Sequence, residues 1–214
     1  IQLTSCLCCA GISQNPFCAT IADSRAPAVA SWCRYRHWKL IKAMRDSFEQ
    51  DLESIATRLQ PAADAFAGKT VMVVGASGYL GQMFVGVLKN LNASYLSSPC
   101  EIVALDSFIT GDRLKPTGEH VRFIEHDIRE PLDPGTPIDF VVHAAGVASP
   151  AYYRQFPIET IEVSTLGTRS LLELAREHGA RALYLSSSEI YGDPDSANVP
   201  THEGYRGNVA CLGP

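Results

Sequence analysis

No stretch of this 214-residue chain stays apolar for the roughly 20 residues that a membrane-spanning helix needs. Long runs of one charge sign are also missing. The formal net charge of −5 comes from 18 basic and 23 acidic residues scattered along the chain. That dispersal argues against a nucleic-acid footprint and against a membrane-seeking helix. Cysteine is sparse beyond the first 33 residues. Cys6, Cys8, Cys9, Cys18 and Cys33 lie there, while Cys100 and Cys211 stand alone. A zinc site brings paired ligands at both ends of a loop. Here Cys6, Cys8 and Cys9 cluster with only His37 nearby, so neither a metal site nor a disulfide framework is expected. Residues 1–43 lack helical or strand periodicity, and they lack the basic start and apolar core of a signal peptide. They are expected to be unstructured or non-native sequence upstream of a natural start at Met44. An intact mass of the natively expressed protein that includes Cys6–Cys33 would refute this. The expected location is the cytoplasm.

After Met44 the character changes. Ser47-Phe48-Glu49-Gln50 reads as a capping box that opens a helix. Phe48, Leu52, Ile55 and Leu59 recur at helical spacing until Pro61, and a short linker follows at 62–68. Residues 44–68 are therefore a helix and linker ahead of a domain at 69–214.

That domain opens with the apolar run Val71-Met72-Val73-Val74, which leads into Gly75-Ala76-Ser77-Gly78-Tyr79-Leu80-Gly81. A buried strand, a tight glycine turn and a helix start present backbone N–H groups to a pyrophosphate. Gly75 makes the turn, Gly78 admits the phosphates, and Gly81 lets the helix pack on the sheet. A second apolar run, Glu101 to Leu105, ends in Asp106, 25 residues beyond Gly81. A carboxylate there accepts from both ribose hydroxyls and repels a 2′-phosphate, which favours NAD over NADP.

The elements alternate as a doubly wound α/β sheet requires. Strands are expected at 70–74, 102–105, 121–125, 138–142 and 182–185. Helices are expected at 79–91 and 157–178, with Gly179 as the stop signal. Ligands in such sheets lie across the carboxyl ends of the strands. The third strand ends in His126-Asp127-Ile128, where Asp127 can accept from the adenine amine and Ile128 can pack on the ring. The fourth ends in His143-Ala144-Ala145-Gly146, whose small residues let the backbone pass close to ribose and phosphate. His143 itself reads as a packed structural residue. The fifth ends in Ser186-Ser187-Ser188-Glu189, a polar cluster that is costly to bury without partners.

Through these segments, residues 69–214 resemble the N-terminal part of an extended short-chain dehydrogenase/reductase. Within that superfamily they are most similar to UDP-glucuronate decarboxylases. The likeness rests on the glycine turn, Asp106-Ser107-Phe108-Ile109-Thr110-Gly111, His126 to Leu132, and His143-Ala144-Ala145 with Ser149-Pro150. It rests also on Ser188 to Pro194 and on Gly204 to Pro214, the two segments that point to the decarboxylase branch.

The resemblance implies a Rossmann domain that binds NAD. It places Gly75, Gly78, Tyr79, Leu80 and Gly81 around the pyrophosphate, with Asp106, Ser107, Thr110 and Gly111 after the second strand. It adds Asp127 and Ile128, then Ala144, Ala145, Gly146 and Ser186, to the cofactor site. It implies C4 oxidation of the sugar, loss of carbon dioxide and re-reduction. Ser187 then hydrogen-bonds the reacting sugar oxygen, and Ser188 and Glu189 stand beside the leaving carboxylate. Related dehydratases carry Asp-Glu there, and Ser188 cannot serve as that acid.

Two departures matter. The family's catalytic Tyr-x-x-x-Lys occurs only at Tyr35…Lys39, ahead of the first strand, where it reads as chance. Tyr191 has no lysine four residues on and reads as structural. The chain is thus expected to be an excerpt, truncated before that helix and catalytically silent alone, and measurable turnover would refute this. Glu162 and Ser164 replace a lysine and an asparagine of the decarboxylase pattern, and a carboxylate at 162 would repel an acidic sugar. A 4-epimerase of a nucleotide sugar and a non-catalytic NAD-binding module remain alternatives. A homodimer is expected for the full-length protein.

Overall fold

The computed structural model describes residues 27–110 and 114–209, with side chains described from residue 42 onward. The chain divides between Asp51 and Leu52 into two compact units. Helix α1 runs Pro27–Leu59 across that division. Ser47 therefore lies inside a helix rather than opening one, and residues 27–43 are helical where no regular structure was expected. No glycine or proline interrupts 28–58, so nothing stops the helix upstream of the local capping signal. The helix ends before Pro61, in a 3-10 turn at Gln60–Phe66.

Five strands follow: β1 (Thr70–Val74), β2 (Glu101–Asp106), β3 (Val121–Glu125), β4 (Phe140–His143) and β5 (Arg181–Tyr184). All pairs are parallel, in the order β3-β2-β1-β4-β5. This is the doubly wound arrangement, with its reversal of direction at β1. β1 and β2 are each buried on both faces, as their unbroken Val/Ile/Leu runs require. β3 and β5 are the edges, and all four β5 residues are exposed.

Helix α2 (Tyr79–Ser94) buries Val85, Leu88 and Leu91 and contacts β1 and β2. Gly86 lets Leu52 reach α2, because a methyl at Gly86 would come within 2.5 Å of Leu52 Cδ1. On one side of the sheet Met72, Val74, Val103, Leu105 and Val141 pack with Leu171, Leu174 and Ala175.

Those last three residues belong to the helical run expected at 157–178. The run is broken in register. It comprises α4 (Pro157–Glu162), a π turn (Val163–Gly167) and α5 (Thr168–His178), preceded by the short α3 (Pro150–Gln155). Around the π turn, Ser164, Thr165 and Thr168 each donate a hydroxyl hydrogen bond to the carbonyl four residues back. Such back-bonding competes with the regular ladder. Gly179 ends α5 in the left-handed region at φ 64°, the stop its sequence position implies.

Candidate functional site

The register aligns Val74 with Leu105 and with His143, so β1, β2 and β4 end together. Their tails form a cleft. Gly75 turns at φ 81°, and its N–H and that of Ala76 donate to Leu105 O at 2.8 and 3.0 Å. A Cβ on Gly75 would lie 2.6 Å from Ala145 N and 2.7 Å from Ala144 O. A Cβ on Gly81 would fall 2.0 Å from Gly75 O, so only glycine lets α2 start this close to the turn. Gly78 caps α2 with extended backbone and donates its N–H to Gly75 O.

Asp106 organises this turn. Its Oδ2 accepts from Ser77 N–H at 2.9 Å and its Oδ1 from Phe108 N–H at 2.8 Å. One carboxylate thus links the glycine turn to the β2 tail and keeps further lone pairs for a ligand. Phe108 sits at φ 54°, which places its ring on Phe123 at 5.5 Å.

The cleft brings together Gly75, Gly78, Asp106, Ser107, Thr110, Ala144, Ala145 and Gly146. An adjoining hollow adds Asp127 and Ile128 to Gly75, Asp106 and Ala145. Tyr79 and Leu80 stand exposed on the first turn of α2, and Gly81 is buried beneath them. Gly111 lies outside the described residues. The bare backbone at Gly75 and Gly81, the helix start and the doubly bonded carboxylate fit a dinucleotide.

Sequence reasoning missed Val163, which lines both hollows from the π turn. Its only sequence signal was an apolar residue in a helix. It also missed Arg129. The guanidinium bonds both oxygens of Asp127, and its Nη1 donates to Glu162 Oε2. Arg129 hydrogen bonding holds the Asp127 carboxyl below the usual carboxylate range, and its two carboxylate partners push Arg129 up. Glu162 is therefore a paired carboxylate, not a bare charge facing a substrate. Ser164 spends its hydroxyl proton on Thr160 O of its own helix.

Ser186, Ser187, Ser188 and Glu189 are all exposed beyond the carboxyl end of β5. They share that edge of the sheet with the β4 tail but do not line the cleft. Ser187 caps a 3-10 turn, Ser188–Tyr191, by accepting from Glu189 N–H at 3.2 Å. Gly192 bridges to Asn208 and ties this loop to Gly207-Asn208. His143 is 1% exposed. It meets Thr168 Oγ1 at 3.2 Å through Nε2 and packs edge-on against Tyr184. Burial pushes its pKa down. The side chains of Tyr35 and Lys39 lie outside the described residues. Among the described residues no cluster of His, Cys, Asp and Glu could hold a metal, and no helix is long and apolar enough to cross a membrane.

The profile of the NAD dependent epimerase/dehydratase family matches residues 71–208. UDP-glucuronic acid decarboxylase 6 of Arabidopsis thaliana is 37% identical over 147 residues, covering 67% of this chain and 40% of that protein. UDP-glucuronic acid decarboxylase 1 of Xenopus tropicalis is 32% identical over 183 residues, covering 82% and 41%. The chain thus spans about 40% of the length of these relatives. Among solved structures, a UDP-galactose 4-epimerase superposes with a TM-score of 0.54 at 26% identity, covering 65% of this chain and 45% of that one.

Proposed function

The chain belongs to the NAD dependent epimerase/dehydratase family, and from that premise we propose that it binds NAD and serves nucleotide-sugar modification of the UDP-glucuronate decarboxylase type. The observation that carries this reading is the glycine turn, closed so tightly on Ala144 and Ala145 that no Cβ fits at Gly75. Gly75, Gly78 and Gly81, with Tyr79 and Leu80 on the first turn of α2, would hold the pyrophosphate. Asp106, with Ser107, Thr110 and Gly111, would hold the adenosine ribose. Asp127 and Ile128 stand at the adenine end. Ala144, Ala145, Gly146 and Ser186 lead toward the nicotinamide end.

Bound NAD supplies a hydride acceptor for C4 of the sugar and a donor for the return. The chain's own residues orient the substrate. Ser187 Oγ accepts from Glu189 N–H, so its own proton is available for the sugar's reacting oxygen. Ser188 and Glu189 would flank the carboxylate that leaves. Ser188 offers no acid to expel water, so dehydration is not supported.

A second reading is a nucleotide-sugar 4-epimerase. The likeness to a UDP-galactose 4-epimerase favours it. The experiment is product analysis with NAD and each sugar nucleotide. Carbon dioxide and a UDP-pentose from UDP-glucuronate support the first reading. An isomeric UDP-hexose from UDP-galactose supports the second. NAD binding without turnover of either, in a protein that carries the family's Tyr-x-x-x-Lys helix, leaves a cofactor-binding module. We read the full-length protein as a cytoplasmic homodimer. The exposed Ile158, Ile161 and Leu172 of the helical run support an apolar contact, which light scattering tests.

A further inference from the structure

The π turn is a soft piece of helix. Its regular ladder is interrupted, and Ser164, Thr165 and Thr168 turn their hydroxyls back onto carbonyls of the same run. Its position therefore depends on ties from outside. The tail of β3 supplies one at each end. Ahead of the turn, Arg129 Nη1 donates to Glu162 Oε2. At its far end Gly167 is bare, and a Cβ there would lie 2.9 Å from Ile128 Cγ2. Ile128 thus seats on the turn while Arg129, next in the chain, grips the residue that leads into it.

Asp127 aims the guanidinium. Its Oδ1 accepts from the Arg129 backbone N–H at 3.0 Å, and its Oδ2 from Nη2 at 2.6 Å. The single Nε–H lies between the two oxygens, at 3.1 and 3.0 Å. Three donors leave at least one of the carboxylate's about four acceptor directions open. Asp127 anchors Arg129 and still offers a lone pair to an adenine amine. The Arg129 side chain is 24% exposed, so solvent screens its charge-assisted bond to Glu162 less than a surface pair.

What this clamp holds in place is Val163. It follows Glu162 directly and is 6% exposed. It lines both hollows, and the only other residues common to the two are Gly75, Asp106, Ser107 and Ala145. Asp106 is the carboxylate that would take the adenosine ribose hydroxyls. Val163 is therefore the apolar wall beside the place of that ribose.

We propose that Arg129 and Glu162 are positioning residues of the cofactor site: their ion pair clamps the π turn to the tail of β3 and so holds Val163 against the adenosine ribose. This rests on the cleft being an NAD site.

The test is calorimetric titration of the purified chain and its variants with NAD and with ADP, which carries the adenosine ribose without the nicotinamide half. Titrations are run where circular dichroism shows a folded protein, so lost stability alone leaves the dissociation constants unchanged. Val163→Ala removes two methyl groups from the wall and weakens NAD about tenfold. Glu162→Gln keeps the wall but frees it, and weakens NAD on the order of fivefold, part of the same contact. It weakens ADP by the same factor, because the loss falls on the adenosine half. The double variant is no weaker than about tenfold, since the clamp acts through Val163. Independent sites would multiply to about fiftyfold. If Val163→Ala fails to fold, Glu162→Gln with NAD and ADP carries the test.

A Glu162→Gln protein that binds NAD within twofold of the unaltered chain overturns the inference and makes the ion pair a purely structural strap. So does a loss seen with NAD but not with ADP, or a double variant at about fiftyfold. If neither NAD nor ADP binds the unaltered chain, the cofactor reading itself fails and takes this inference with it.

Discussion

Replacing Gly75 by alanine forces one methyl group into a space that the β4 tail already fills. The backbone there is left-handed, at φ 81°. A side chain in that region costs about 1–2 kcal/mol. The methyl would also lie 2.6 Å from Ala145 N and 2.7 Å from Ala144 O. These are backbone atoms and cannot swing aside, and overpacking of that type costs about 1–3 kcal/mol. Alanine narrows the unfolded ensemble and returns about 0.4–1 kcal/mol. The net loss is about 1–5 kcal/mol, against a domain stability of about 5–15 kcal/mol. Urea unfolding reads this directly: at a slope of about 2 kcal/mol/M the midpoint falls by about 0.5–2 M. NAD affinity, read by calorimetry, falls with it. Two other glycines separate the causes. Gly135 also has a positive φ, 66°, but no atom within 4 Å of an added Cβ, so Gly135→Ala shows the backbone cost alone, about 1 kcal/mol. Gly146 has neither constraint, so Gly146→Ala keeps only the unfolded-state gain and raises the midpoint by about 0.2–0.5 M. A Gly75→Ala midpoint equal to that of Gly146→Ala would refute the reasoning, because the turn would then have room that the geometry denies it.

Three further outcomes are expected. Asp106→Ala leaves the N–H groups of Ser77 and Phe108 without their acceptor, costing about 1–3 kcal/mol in urea unfolding; it also narrows the preference for NAD over NADP, read as the ratio of their dissociation constants. Stability falls as pH drops below about 6.5, because the unfolded His143 takes up a proton that the buried imidazole resists. Asp127 and Asp139, both held below the usual carboxylate range, add their own loss only below about pH 4, so midpoints at pH 8 and 5.5 isolate the histidine. His143→Phe should flatten that step. Finally, burial pushes the Cys100 thiol up to about 11, so mass-mapped alkylation of the folded protein at neutral pH should leave Cys100 unlabelled.

Much of the fold was legible because its signals are local. Unbroken apolar runs marked the buried strands, the glycine turn marked the start of α2, and Gly179 marked the end of α5. The helix before the domain was misplaced at its start because Ser47-Phe48-Glu49-Gln50 matches a cap in isolation. A cap forms only where the preceding residue leaves the helix, and nothing at 28–46 makes it leave. The π turn was invisible for a similar reason. Its Ser and Thr hydroxyls read as ordinary polar positions until they bond to carbonyls four residues back.

Residue types at fixed spacing along one strand–turn–helix unit suffice to specify the family, the parallel sheet and the position of the dinucleotide turn. Backbone conformation and short-range burial dictate those features, and both are written in neighbouring residues. The meeting of Arg129 with Glu162, and of Val163 with the β1 and β2 tails, is of another kind. Glu162 looked like a repulsive charge because its neighbours in sequence offer it no cation. Its partner lies 33 residues away and reaches it only once the fold brings the tail of β3 beside the end of α4.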